Sequence, residues 1–123
     1  MRDGAKRGVQ GRRRWGFAVV RGRSMEPTLR GGDRLLVRHG ARPAPGDLVV
    51  ARFPDGAIVV KRAVEMRPTR SGSPGWWLLS DNPAEGVDSR HRGVIPADDV
   101  LAVVRRRVWP FHRWGRAGGV APV

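Results

Sequence analysis

The apolar residues of this chain come in short runs, each soon interrupted by turn-forming or charged residues, and that pattern limits the fold to many short strands. Phe17-Ala18-Val19-Val20 is a predicted strand, and Arg21 to Leu29 follows as a loop or single helical turn. Arg30-Gly31-Gly32-Asp33 has turn chemistry. Arg34–Arg38 and Asp47–Phe53 are the next strands, and Pro54-Asp55-Gly56 turns the chain into a fourth, Ala57–Met66. A Ser/Gly/Pro-rich loop leads to Trp76-Trp77-Leu78-Leu79. The polar stretch Ser80–Gly93 precedes a possible helical turn at Ala97-Asp98-Asp99 and a last strand, Val100–Val108. The expectation is a mainly β domain, a barrel or folded-over antiparallel sheets, with little helix.

The 123 residues suffice for one core. The boundaries expected are a basic disordered tail over 1–14, one domain over 15–108 and a basic C-terminal tail over 109–123. No apolar run approaches the ~20 residues that cross a bilayer. The N-terminus carries basic residues without a following hydrophobic region, so no secretory signal is read there and a cytoplasmic protein is expected. There is no cysteine, which removes disulfides, thiol catalysis and thiolate metal sites.

A net charge of +13 points first to nucleic acid or an anionic membrane. Residues 1–14 hold six basic and one acidic side chain, and residues 105–123 hold five basic and none acidic, leaving +3 for the middle. The excess thus concentrates toward the ends, where it reads as solvated tail, and no nucleic-acid partner is expected.

Of the 24 basic residues, 22 are arginine; Lys6 lies in the N-terminal tail, and Lys61 is the one lysine of the body. Arginine keeps its charge at any relevant pH, whereas a buried lysine can release its proton. Lys61 ends the run Ile58-Val59-Val60, and strand alternation points it with Val59 and Ala63. A lysine on an apolar face is desolvated toward a neutral amine, a base for a serine hydroxyl. Ser24 sits between a strand and a turn stiffened by Pro27; that turn can aim backbone N–H groups at an oxyanion, and Gly22 permits close substrate approach. Taken singly, Ser24 reads better as a turn serine capping Pro27-Thr28-Leu29, and Lys61 better as a strand-end side chain reaching water. His39, His91 and His112 are not grouped for a metal, and neither metal nor cofactor is expected. A Ser/His/Asp triad through His91 with Asp88 or Asp81 is the competing arrangement.

Taken together, the motifs resemble those of type I signal peptidases. Gly22-Arg23-Ser24-Met25-Glu26-Pro27-Thr28-Leu29 is similar to the nucleophile motif of that family. Gly32–Val37 and Pro45–Val50 are similar to the two segments after it, and Val60-Lys61-Arg62-Ala63-Val64 to the segment bearing the lysine base. Ser80-Asp81-Asn82, Asp88-Ser89-Arg90, Gly93 and Ile95-Pro96 resemble its Gly-Asp-Asn…Asp-Ser-Arg…Gly-x-Ile-Pro region. The resemblance covers about residues 17–108, in the family's order. It implies a compact β catalytic domain and an endopeptidase that cleaves after small residues, with Ser24 as nucleophile and Lys61 as base. Gly22 and Met25 would lie on the oxyanion and substrate side. Arg62, Asp81, Asp88, Ser89 and Arg90 would brace the site as a charged network.

Three features depart from the family pattern: no N-terminal membrane anchor, Gly86 where many members place a serine that orients the lysine, and Gly22 where some place a serine donor. Ser89, water or packing alone would then hold Lys61. A compact, Arg-rich version without an anchor resembles the maturation proteases of nickel-type superoxide dismutase, as do the stretch Trp76–Asn82 and Gly86. That resemblance implies a precursor protein as substrate, the nickel superoxide dismutase precursor, from which a short N-terminal extension is removed. Other readings are a peripheral signal peptidase held weakly on an anionic membrane by the basic, Trp-bearing segment Val108–Trp114, a self-cleaving repressor, and a nucleic-acid binder.

Overall fold

The computed structural model describes residues 14–110. Seven strands form one curled antiparallel sheet: β1 (Trp15–Val19), β2 (Arg34–His39), β3 (Leu48–Arg52), β4 (Ile58–Pro68), β5 (Pro74–Leu79), β6 (Ile95–Pro96) and β7 (Val100–Trp109). Their order is β1-β2-β7-β3-β4-β5-β6. The last strand therefore threads between β2 and β3, and every other neighbouring pair is consecutive in sequence. One α-helical turn, α1 (Ser89–Arg92), and a 3-10 turn at Ala97–Asp99 are the helical elements among the described residues.

Strand register slips between Arg34 and Leu35, Leu36 and Val37, Val50 and Ala51, and around Val64. Such bulges add local twist, and here they accompany the curl that lets one sheet enclose its own core. Two clusters fill it. Val49, Ala51, Phe53, Ala63, Trp76, Leu78, Ile95, Val100 and Val103 form the first. Val20, Met25, Leu29, Leu35, Val37, Val50 and Ala102 form the second.

The strand expectations hold, with shifted ends. β1 begins at Trp15 rather than Phe17. β4 and β5 extend toward each other until Pro68 pairs with Pro74, so much of the expected loop is strand. Proline is tolerated there because the pair closes the ladder, where a missing N–H costs least. Alternation in β4 fails after the bulge: Val64, Glu65 and Met66 are all exposed. Within the polar stretch, α1 went unpredicted because four residues carry no helical period. It is specified instead by Asp88, whose carboxylate accepts from Arg90 N–H as an N-cap. Residues 1–13 and 111–123, with most of the two expected tails, lie outside the described residues. Arg105, Arg106 and Arg107, counted above with the C-terminal charge, belong to β7. Arg107 lies 3.6 Å from the Asp33 carboxylate.

Leu35 is fully buried and Val87 is 38% exposed. Leu35→Ala is expected to cost about 3 kcal/mol by loss of burial and cavity formation, and Val87→Ala less than about 0.5 kcal/mol, both read from denaturant midpoints.

Candidate active site

After β1 the chain crosses Gly22, whose φ of 76° is a conformation side-chain-bearing residues resist. It then enters a turn opened by Ser24. Met25 and Leu29 bury themselves in the second core cluster, and Leu29 N–H donates to Met25 O at 2.9 Å, so the turn is pinned from below. From above it is clamped by Asp81 and Asn82. Asn82 N–H donates to Ser24 O at 2.8 Å, and its Nδ2 donates to Arg23 O at 3.0 Å. Thr28 Oγ1 donates to Asp81 Oδ2 at 2.6 Å, and Asp81 N–H donates to Met25 Sδ at 3.4 Å. Asp81 is fixed in turn by a bidentate Arg62, Nε to Oδ1 at 3.1 Å and Nη2 to Oδ2 at 2.6 Å.

Lys61 is the fourth residue of β4, opposite Val49 of β3, which in turn faces Val103 of β7. Residues paired across antiparallel strands share a face, so the lysine stem continues an apolar row. Its neighbours on that face, Val59 and Ala63, belong to or pack on the first core cluster. The amine reaches out of that row: Lys61 Nζ is 3.0 Å from Ser24 Oγ and 3.0 Å from Ser80 Oγ. The Ser24 turn and the lysine thus meet, with Met25 in the second cluster and Ala63 in the first.

Lys61 is 3% exposed. Burial pushes its pKa below the ordinary 10.5, and the Asp88 carboxylate opposes that by favouring the ammonium. Asp88 is itself fully buried. Burial alone would raise its pKa; hydrogen bonds from the Arg90 side chain and from the Ser80 and Arg90 N–H groups outweigh this and bring it to about 2. Asp88 is therefore a carboxylate at every working pH, with Arg90 as its direct counter-ion, Nη2 to Oδ2 at 2.9 Å. For Asp81, burial raises the pKa, and the bonds from Arg62 and Thr28 reverse it to below the usual range.

The bracing residues form two separate pairs, Arg62–Asp81 and Arg90–Asp88, instead of the single network implied by the sequence. Ser89 is buried, and its Oγ accepts from Leu78 N–H at 2.9 Å, which docks α1 on β5. The hydroxyl on Lys61 belongs to Ser80, a residue of the Ser80-Asp81-Asn82 motif to which the sequence assigns no role. Its signal was a serine where the compared motif has glycine. His91 caps its own helix turn, Nδ1 accepting from Asp88 N–H at 3.3 Å, and the side chain that meets Ser24 is Lys61. Gly86, at φ 81°, comes so close that a Cβ there would lie 2.5 Å from Ser24 Cβ.

A cleft of about 310 Å³ runs past Ser24 and Lys61, walled by Ala18, Val20, Ile58 and Val60, with Met25 beside it. Gly22 does not line it. A larger groove, about 1080 Å³, holds neither Ser24 nor Lys61 and adjoins the cleft through Ala18 and Ile58. Among the described residues no cluster of His, Cys, Asp or Glu could hold a metal ion, and no helix is long and apolar enough to cross a membrane.

The family model for Peptidase S24-like proteins matches residues 6–104. Mitochondrial inner membrane protease subunit 1 of Xenopus tropicalis is 30% identical over 79% of this chain and 71% of its own length. The protein of that name from Mus musculus is 29% identical over 81% and 73%. A stretch of the aspartate carbamoyltransferase catalytic subunit of Pseudarthrobacter chlorophenolicus is 31% identical over 81% of this chain, but only 33% of that protein is covered, and nothing follows for its remainder.

The unfolded chain keeps the Lys61 proton up to about 10.5, while the folded chain releases it at lower pH. Between those values the unfolded state binds more protons, so Lys61 makes stability rise with pH. Lys61→Met removes the buried amine. Its melting temperature is expected to exceed that of the parent at pH 7, with the difference shrinking toward pH 10 in thermal scans.

Proposed function

This chain belongs to the Peptidase S24-like family, and from that premise we propose that it is a serine endopeptidase acting through Ser24 and Lys61. We further propose that it removes a short N-terminal extension from a precursor protein, the nickel-type superoxide dismutase precursor. The observation that carries the mechanism is the 3.0 Å approach of a buried lysine amine to the Ser24 hydroxyl. The substrate rests on sequence resemblance alone: the compact Arg-rich chain, the Trp76–Asn82 stretch and Gly86.

In this reading neutral Lys61 takes the proton of Ser24 Oγ as the oxygen attacks the scissile carbonyl. Among the described residues the Ser24 N–H has no hydrogen-bond acceptor in the fold, which leaves it free to donate to the oxyanion. The Lys61 ammonium returns the proton to the departing amine, and the new N-terminus leaves. Water then opens the acyl-enzyme, with Lys61 again as base, and Ser24 regains its hydroxyl. The aliphatic walls of the cleft suit small side chains flanking the cleaved bond. Arg62–Asp81 and Arg90–Asp88 hold the nucleophile turn and the α1 segment in register.

A second reading places the same chemistry at a membrane surface. It is favoured by Trp15, Phe17, Ile58 and Met66, which are exposed apolar side chains, and by the similarity to inner membrane proteases. Flotation with anionic vesicles separates the two readings.

Incubating the superoxide dismutase precursor with the protein is expected to give a single N-terminal clip by mass spectrometry. Ser24→Ala and Lys61→Arg should each lower the rate by at least about 10³-fold, since arginine cannot serve as a base near neutrality. A clip made equally well by Lys61→Arg would remove the lysine mechanism.

A further inference from the structure

The proposed mechanism asks more of Lys61 than proximity, because a primary amine rotates about its last bond and its lone pair must face Ser24. Nothing in an apolar strand supplies that orientation. The polar contact that does so is Ser80, the residue directly after β5, which is 8% exposed and accepts from Lys61 Nζ at 3.0 Å. Its backbone is fixed independently, Ser80 N–H donating to Asp88 Oδ2 at 2.8 Å.

We infer that Ser80 is the positioning residue of Lys61: its hydroxyl holds one N–H of the amine so that the lone pair points at Ser24. This rests on the proposed pairing of Ser24 with Lys61. The opposite side of the pair offers no alternative support. Gly86 closes over it with a positive φ, and any Cβ there would collide with Ser24 Cβ at 2.5 Å and stand 3.4 Å from Lys61 Nζ. A side chain at 86 cannot orient the lysine without displacing the nucleophile, so the hydroxyl has to arrive from the β5 side. Ser80 also separates two charges that would otherwise pair. Asp88 bonds the Ser80 backbone and Arg90, and the amine meets the neutral oxygens of Ser80 and Ser24.

The other charged groups near the site are directed elsewhere. Arg62, next to Lys61 on β4, is paired with Asp81. Arg23 and Glu26 of the nucleophile turn face each other at 3.9 Å. Asp88 is therefore the charge that acts on the amine, with Arg90 offsetting it.

The composition supplies a direct assay. With only Lys6 and Lys61 present, lysine-selective carbon-13 labelling gives two side-chain signals, and a pH titration by NMR reads the Lys61 midpoint without any substrate. An acceptor of this kind bonds the ammonium more strongly than the amine. Ser80→Ala is therefore expected to move the Lys61 midpoint to lower pH and leave the Lys6 signal in place. The same variant should lose at least about ten-fold in kcat with KM little changed, and Ser80→Thr, which keeps the hydroxyl, should recover much of both. Gly86→Ser in the Ser80→Ala background should restore neither. A Lys61 midpoint that does not move in Ser80→Ala, or a kcat within about two-fold of the parent, overturns the assignment. If Lys61→Met retains parental cleavage, the pairing of Ser24 with Lys61 fails; if it is inactive while Ser80→Ala is not, the Ser80 assignment alone fails.

Discussion

A primary amine enclosed by aliphatic side chains must lose its proton or be given a counter-charge. Lys61 has a carboxylate within electrostatic range, yet the fold withholds it. Asp88 is spent on Arg90, on the cap of α1 and on the Ser80 N–H. Had Asp88 bonded the amine directly, the ammonium would be the stable form and the lysine a structural ion. The position of one buried carboxylate decides whether the amine is held in a salt bridge or meets only hydroxyl groups.

Much of this arrangement was readable before any coordinates, for identifiable reasons. The strands were visible because turn residues punctuate them, and Lys61 stood out because arginine fills almost every other basic position. Its face on β4 followed from alternation, since the bulge that breaks alternation lies beyond it at Val64. Ser24 needed the surrounding motifs, because a serine before a proline turn is common. Three things could not be read. α1 is too short to show a period. The division of the charged residues into Arg62–Asp81 and Arg90–Asp88 depends on which loop crosses which strand. The role of Ser80 appears only when the end of β5 is folded beside Lys61 of β4. Of the supports the motifs suggest for Lys61, namely Ser89, water or packing alone, Ser89 is excluded in the fold because its hydroxyl accepts from Leu78 N–H.

The turn that carries Ser24 has little regular structure of its own. Its shape is imposed by Met25 and Leu29 beneath it and by Asp81 and Asn82 above. Those two residues bond four consecutive or nearby positions, at Arg23, Ser24, Met25 and Thr28. A loop held at so many points can keep a hydroxyl aimed without rigid secondary structure, and a substrate does not have to bear the ordering cost.

The clamp also has a kinetic side. Thr28 and Asp81 are 53 positions apart, and Ser24 and Lys61 are 37 apart. Contacts between such distant parts of a chain form late, after the loops between them have closed. Until the segment after β5 reaches the turn and the strands around β4 have closed, the turn has no clamp and the lysine no dry environment, so the amine stays protonated in water. In a half-folded copy Ser24 and Lys61 are both present and apart. The pairing of hydroxyl and amine is thus a property of the completed sheet and of no shorter piece of it.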